Sequence, residues 1–232
     1  MMNAVKKTAC ALAVLATSTA VMAESIDVKV IGTITPTACK PTLTGGGSID
    51  YGTINPNTLK KDEFTILAEK QIDFAITCDA PAKVAITAKS GRGNSAVNKN
   101  GKLTEITDDG YALFNDRNVA AVGLGLDGTK GVGGYGLRLQ PGTMQADGKN
   151  VDSIQSNGNT TSWVKSEFGS LFNTLRYQRY VSWAATGTLT PIAFTTLSGK
   201  LGAQAYINKA SELDLTKPVK LDGLTTLELV YL

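Results

Sequence analysis

The chain has 232 residues, of which 42% are hydrophobic and 19% charged, a composition that allows one folded domain with a sizeable core. Its formal net charge is only +3, so it lacks the strongly basic balance of proteins that bind nucleic acid or anionic membranes. It contains no histidine, which excludes the commonest general base and every Ser–His or Cys–His catalytic pair.

The first predicted element is a secretory signal peptide at residues 1–23. Lys6 and Lys7 form its positive start, residues 9–16 are a short apolar run, and the small Ala23 stands at the expected cleavage site. A membrane anchor is the alternative, but the apolar run is shorter than the roughly 20 residues that span a bilayer. We therefore expect export, with cleavage after Ala23 and a mature chain whose net charge is near zero.

The next segment, residues 24–35, alternates apolar and polar residues like an amphipathic strand. One face of this strand carries Ile26, Val28, Val30, Gly32 and Ile34. Such a strand needs a partner sheet, which is either its own domain or another molecule. Because Pro36 interrupts the pattern, we expect the folded body to comprise residues 36–232 and the segment to be available to another molecule.

The mature chain keeps two cysteines, Cys39 and Cys78, after Cys10 leaves with the signal peptide. In an exported protein an even pair predicts a disulfide, and two free buried thiols are the alternative. Two cysteines without histidine are too few ligands for a metal site. We expect no metal and no cofactor.

Strand patterns dominate the body. Apolar residues alternate in residues 72–78, 84–88, 122–126, 135–139 and 227–231, with glycine- and asparagine-rich turns between them. This arrangement predicts an all-β sandwich. One exception is residues 166–178, where the spacing of Phe168, Leu171, Phe172 and Leu175 predicts a short helix.

No motif in the body indicates catalysis. The sequence GVGGYG at residues 131–136 formally matches a dinucleotide-binding fingerprint, but a strand and a turn follow it where a helix is required. The adjacent carboxylates Asp108 and Asp109 precede a glycine, which is typical of a turn. We expect a protein without enzyme activity.

The last predicted strand comprises residues 224–232 and is strongly apolar. Unless an earlier strand pairs with its far side, this strand leaves an exposed sheet edge, which natural proteins cover. A loose strand at one end of the chain and an uncovered edge at the other indicate that one molecule completes the next.

Five short stretches occur in an order and spacing that are typical of one family. They are residues 30–39 with the first cysteine, residues 49–54, residues 69–78 with the second cysteine, residues 199–207, and residues 227–232 with Tyr231 next to the last position. Together these stretches resemble the subunits of chaperone–usher fimbriae. The resemblance covers the first third and the last sixth of the mature chain.

The resemblance implies an incomplete immunoglobulin-like β-sandwich that lacks its final strand and is completed by a donor strand. Residues 24–35 would be that donor extension, and its face from Ile26 to Ile34 would fill pockets in a neighbouring subunit, Gly32 matching the glycine often found in donor strands. Cys39 and Cys78 would tie the first strand to the next. Leu227, Leu229 and Tyr231 would face the groove or the chaperone.

The implied partners are neighbouring fimbrial subunits, a periplasmic chaperone and an outer-membrane usher, on a route through the periplasm to a fimbria on the cell surface. Two features depart from the pattern. Val219 stands where the family usually has a glycine, and residues 90–185 match poorly. We interpret residues 90–185 as enlarged loops that decorate the sandwich, with a binding surface for a host glycan or protein receptor as the alternative. A secreted single-domain adhesin or glycan-binding module is the alternative function.

Overall fold

The structure is a computed structural model that describes residues 26–33, 37–108, 111–116, 119–173 and 177–232. The chain divides into two compact units, Met1–Thr35 and Pro36–Leu232. In the first unit, residues 26–33 have no regular secondary structure, and Ile26, Val28 and Val30 are 91%, 84% and 95% exposed. The predicted signal peptide and Ile34 lie outside the described residues.

The second unit is built from strands and turns, and its described part contains no α-helix. The strands are β1 Cys39–Leu43, β2 Thr65–Ile66, β3 Lys70–Ala82, β4 Val84–Ser90, β5 Ala96–Val97, β6 Leu103–Thr104, β7 Ile106–Thr107, β8 Ala121–Gly123, β9 Leu126–Asp127, β10 Lys130–Gly131, β11 Gly133–Leu139, β12 Gln145–Ala146, β13 Lys149–Asn157, β14 Val164–Lys165, β15 Arg179–Ala185, β16 Phe194–Ile207 and β17 Thr225–Tyr231. Short 3₁₀ helices occur at Thr44–Gly47, Pro56–Thr58 and Ala210–Glu212. Across the described ranges, no helix has the length and apolar character needed to cross a membrane.

The long strands form two antiparallel sheets. The first sheet has the order β1-β3-β16-β11-β8-β7, with β2 beside the end of β16. The second has the order β17-β4-β15-β13-β14. Strand β12 pairs with both β16 and β13 and so connects the sheets at one corner. The predicted all-β sandwich is therefore confirmed.

The main core lies between the inner faces of the two sheets. Along β3 the alternation predicted from the sequence buries Phe74, Ile76 and Cys78. From the opposite sheet, Trp183 of β15 is fully buried, with its ring centroid 6.4 Å from that of Phe74 and 5.7 Å from that of Phe194. Large aromatic side chains therefore fill this part of the interior.

The predicted disulfide between Cys39 and Cys78 is confirmed. The two cysteines lie directly opposite each other on β1 and β3, which are neighbours in one sheet. The disulfide therefore fixes the position of β1 against β3.

The helix predicted at residues 166–178 is wrong. In residues 166–173, the backbone extends the edge of β11: Leu139 N donates to Gly169 O and Leu171 N donates to Leu137 O, both at 2.9 Å. Gly169 has φ +67°, which a helix interior does not permit. Leu171 is buried whereas Phe168 is exposed, so their helical spacing does not correspond to one apolar face.

Residues 90–185, which match the fimbrial pattern poorly, contribute β11, β13 and β15 to the two sheets. They also contain two extra hairpins, β5–β6 and β9–β10. Part of this region packs as a second small cluster, in which the rings of Tyr111 and Tyr206 are stacked 3.9 Å apart. The region therefore combines sandwich strands with added short hairpins.

Candidate strand-binding groove

A cavity of about 950 Å³ lies between the two sheets, beside the start of β17. We call this cavity the groove. Its walls are mainly apolar and come from both sheets and from the segments that connect them; they include Leu124, Tyr135, Leu137, Leu201, Ala203 and Leu227.

The groove is empty because of the residues that form its floor. On β16 the alternate residues Leu201, Ala203, Ala205 and Ile207 face it. In the aromatic part of the core, the corresponding space is filled by Trp183 and its neighbours. Two alanines in the middle of the floor leave volume that no side chain of the body occupies.

One wall of the groove is the segment of residues 49–54, which resembles a family strand in sequence. It is not a strand here, and within the described structure none of its backbone N–H groups donates to a backbone carbonyl. Tyr51 holds it in place, because its hydroxyl donates to Ala203 O at 3.0 Å. Burial raises the pKa of Tyr51 to about 12, so the hydroxyl stays protonated at neutral pH.

The opposite wall is the connection between β16 and β17, residues 208–224, which we call the strap. Its apolar residues Leu213, Leu215, Val219 and Leu221 line the groove. Val219, the departure from the family glycine, is thus one of the wall residues.

Three ion pairs hold the strap, and the first joins Lys130 Nζ to Glu212 Oε2 at 2.6 Å. Lys217 Nζ lies 3.0 Å from Asp127 Oδ1, and this pairing raises the pKa of Lys217. Arg92 donates through Nη2 to Asp222 Oδ1 at 2.6 Å and through Nε to Asp222 Oδ2 at 2.9 Å, which lowers the pKa of Asp222. The strap is therefore tied to the β9–β10 hairpin and to the turn after β4.

Two strands next to the groove have a free edge. Strand β17 pairs with β4 from Thr225 opposite Ser90 to Tyr231 opposite Val84, and it has no backbone partner on its other side among the described residues. Strand β1 pairs with β3 in the same one-sided way. The sheets are thus open on the side where β1 and β17 are the last strands.

The three residues predicted to face the groove occupy different positions. Leu227 lines the cavity. Leu229 is partly buried against the core beyond the end of the cavity, and Tyr231 is 52% exposed while its hydroxyl accepts a hydrogen bond from Cys39 N at 2.8 Å. The groove therefore borders the first half of β17 and ends before the second half.

The predicted donor residues Ile26, Val28, Val30 and Gly32 are exposed within the first unit. Their role as donor residues stays a prediction. Sequence analysis missed most residues of the groove itself, although the alternation in residues 199–207 contained the signal for Leu201, Ala203 and Ala205.

A family model described as "Protein of unknown function (DUF1120)" matches residues 28–135. The chain is 32% identical over 243 residues to Protein GltF of Escherichia coli (strain K12), covering 96% of this chain and 95% of that protein. It is 27% identical over 224 residues to the uncharacterized protein YhcF of the same strain, covering 90% of each. No solved structure gives a significant match. At this identity and coverage, the chain belongs to the family of Protein GltF.

Proposed function

We propose that this protein is a structural subunit of a bacterial surface fimbria, assembled by donor-strand exchange through a periplasmic chaperone and an outer-membrane usher, and contributing to adhesion. The observation that carries the proposal is the apolar groove between two sheets whose adjoining edge strands, β1 and β17, are unpaired on that side.

A groove of this kind is suited to bind an extended peptide. Peptides add to exposed sheet edges through backbone hydrogen bonds, and pockets for alternate side chains supply specificity. Strand β17 offers the free edge, while Leu201, Ala203 and Leu227 offer an apolar surface next to it. An uncovered edge of this type otherwise promotes aggregation, so the proposal also explains how the edge is protected.

Residues 24–35 have the pattern that such a groove requires. Every second residue from Ile26 to Ile34 is apolar or glycine. Burial of each valine or isoleucine contributes about 1.5–3 kcal/mol, and the described members of this face are exposed in the first unit. We propose that this extension fills the groove of a neighbouring subunit.

Repetition of this contact gives a fibre. The donor and the groove are different surfaces, and a head-to-tail contact that does not close into a ring produces an open filament. A subunit with an unfilled groove lacks the stabilisation of the missing strand, which is why a chaperone would be needed before assembly. Adhesion would then be a property of the assembled fibre.

The test uses the full chain with Val28→Asp and Val30→Asp, so that its own extension cannot fill a groove. A synthetic peptide of residues 24–35 is added and the melting temperature Tm is recorded. At a hundred times its Kd, a ligand adds about 2.7 kcal/mol, which corresponds to about 5–10 °C for a protein of this size. The control is the same peptide with both aspartates.

We expect the unaltered peptide alone to raise Tm. By light scattering, the unsubstituted chain should form multimers and the Val28→Asp/Val30→Asp chain should be monomeric. If the body ignores the peptide and the unsubstituted chain is a stable monomer, the donor-strand proposal is wrong, and a free-standing secreted adhesin takes its place.

A further inference from the structure

Beyond the end of the groove, one hydrogen bond joins the two edge strands. Cys39 N, on β1, donates to the hydroxyl oxygen of Tyr231, on β17, at 2.8 Å. The cavity is lined by Leu43 of β1 and by Thr225 and Leu227 of β17, but it ends before Cys39, Leu229 and Tyr231. A side chain thus joins two strands that are otherwise open to solvent on this side.

The backbone of Cys39 explains why its N–H needs this partner. Asp79 N donates to Ala38 O at 3.1 Å, so Ala38 and Asp79 are a hydrogen-bonded pair of the β1–β3 ladder. Cys39 and Cys78 are the next pair along the ladder, and in an antiparallel ladder the N–H of that position points away from the partner strand. The Cys39 N–H is therefore a hydrogen-bond donor at the free edge of β1. The Tyr231 hydroxyl accepts this hydrogen bond in the place where a further strand would accept it.

The disulfide makes the position of this donor rigid. Cys39 is bonded to Cys78 on the neighbouring strand β3, and Ala38 N donates to Asp79 Oδ2 at 3.3 Å. Tyr231 belongs to the edge strand β17, which pairs with β4 alone among the described strands. Tyr231 contributes its side chain to the contact, so its hydroxyl can leave Cys39 N by a change of rotamer while the backbone of β17 stays in place.

We propose that the Tyr231–Cys39 hydrogen bond is a latch that keeps half of the groove closed in the unfilled subunit and is released when a donor strand enters. The inference rests on the proposed function, because it concerns the same groove. At about 3.3 Å per residue, the nine residues from 26 to 34 are longer than the seven-residue β17, and only the first half of β17 borders the open cavity. A donor strand that pairs along the whole edge would occupy the position beside Cys39 N that the Tyr231 hydroxyl occupies in the unfilled subunit.

The latch predicts that one substitution should strengthen peptide binding. A contact that exists only in the empty state opposes filling, so its removal must strengthen peptide binding. In the Val28→Asp/Val30→Asp chain, Tyr231→Phe should therefore bind the peptide of residues 24–35 about two- to tenfold more tightly, as expected for loss of one neutral hydrogen bond, and should bind it faster. Phenylalanine keeps the ring and removes only the hydroxyl.

A matched control is Tyr206→Phe. The Tyr206 hydroxyl also bonds to the backbone, donating to Val97 O at 2.8 Å, but Tyr206 is fully buried in the second cluster and does not line the groove. Its loss should lower Tm and leave the peptide Kd unchanged. Fluorescence anisotropy with a labelled peptide gives both rate constants for all three chains.

Two outcomes of the binding experiment would overturn the latch, and they are distinguishable. If Tyr231→Phe binds with unchanged or weaker affinity while the parent chain binds, the latch is wrong and the donor-strand function stands. If the parent chain does not bind the peptide, the proposed function is wrong and the latch is wrong with it. Hydrogen exchange adds a test without the Tyr231 variant: the Cys39 amide should change its protection and its NMR shift when the parent chain is filled, and no change would overturn the latch.

Discussion

The aromatic core and the groove are built from the same strand pattern but have opposite contents. Both use alternate residues of β16, and around Trp183 the interior is filled by large rings. At Ala203 and Ala205, the same strand presents small residues to an empty cavity. Packing density is therefore a local property of this sandwich, and the place where it falls is next to the unpaired edges.

Loss of the largest core ring should have the largest effect. Trp183→Ala leaves a void in a fully buried site, and we expect a loss of about 3–5 kcal/mol in the free energy of unfolding. Leu227→Ala, in the groove wall, removes a side chain that already borders empty space and should cost under about 1.5 kcal/mol. Urea denaturation of the two variants measures the difference, and equal losses would show that the groove is packed as firmly as the core.

The disulfide should rank next. Cys39→Ser/Cys78→Ser removes a cross-link between residues 39 positions apart, with an expected loss of about 2–4 kcal/mol. The same loss should follow reduction of the unsubstituted chain. A double variant with an unchanged urea midpoint would contradict the assignment of stability to this bond.

A substitution that fills the groove should stabilise the empty body, whereas the preceding substitutions destabilise it. Ala203→Leu adds apolar volume to the floor of the cavity, and we expect the empty body to gain up to about 1–2 kcal/mol. If the groove binds the peptide of residues 24–35, the same change should weaken binding by at least about tenfold, since 1.4 kcal/mol corresponds to that factor. Ala85→Leu, at a fully buried site outside the groove lining, is the control and should destabilise the body.

The smallest effect should appear only in alkaline solution. The pKa of Tyr51 is raised by burial to about 12 in the folded state, so the folded protein holds this proton more firmly than the unfolded chain does. The corresponding stability is present below pH 10 and is lost as the pH rises from about 10 to 12. As the pH rises through this range, the urea midpoint should fall less steeply for Tyr51→Phe than for the unsubstituted chain. If the two midpoints fall in parallel, the Tyr51 side chain is more exposed than the structure shows.

Much of the sandwich could be predicted because a strand that buries one face shows alternating apolar and polar residues in its own sequence. The alternation of Ile72, Phe74 and Ile76 predicted β3, and the alternation in residues 227–231 predicted β17. The pairing of Cys39 with Cys78 followed from their number alone. The position of these strands in two sheets was accessible only through the resemblance to fimbrial subunits.

The parts of the fold and of the groove that could not be predicted depend on contacts between residues that are distant in the sequence. Phe168 and Leu171 have helical spacing, but the free edge of β11 and the positive φ of Gly169 decide their conformation. The pairing of Arg92 with Asp222 joins residues 130 positions apart. The volume of the groove depends on which small residues face each other after folding, and for the same reason the Tyr231–Cys39 contact had no signal in the sequence.

The placement of β12 has a mechanical consequence. This short strand is shared by both sheets on the side away from β17, whereas the disulfide lies within one sheet and crosses no gap. Near β1 and β17 the sheets are joined by the chain itself, because only Lys83 separates β3 from β4. A pulling force that separates the sheets on that side therefore acts on this short connection and on the apolar packing of the core, and the disulfide does not resist it.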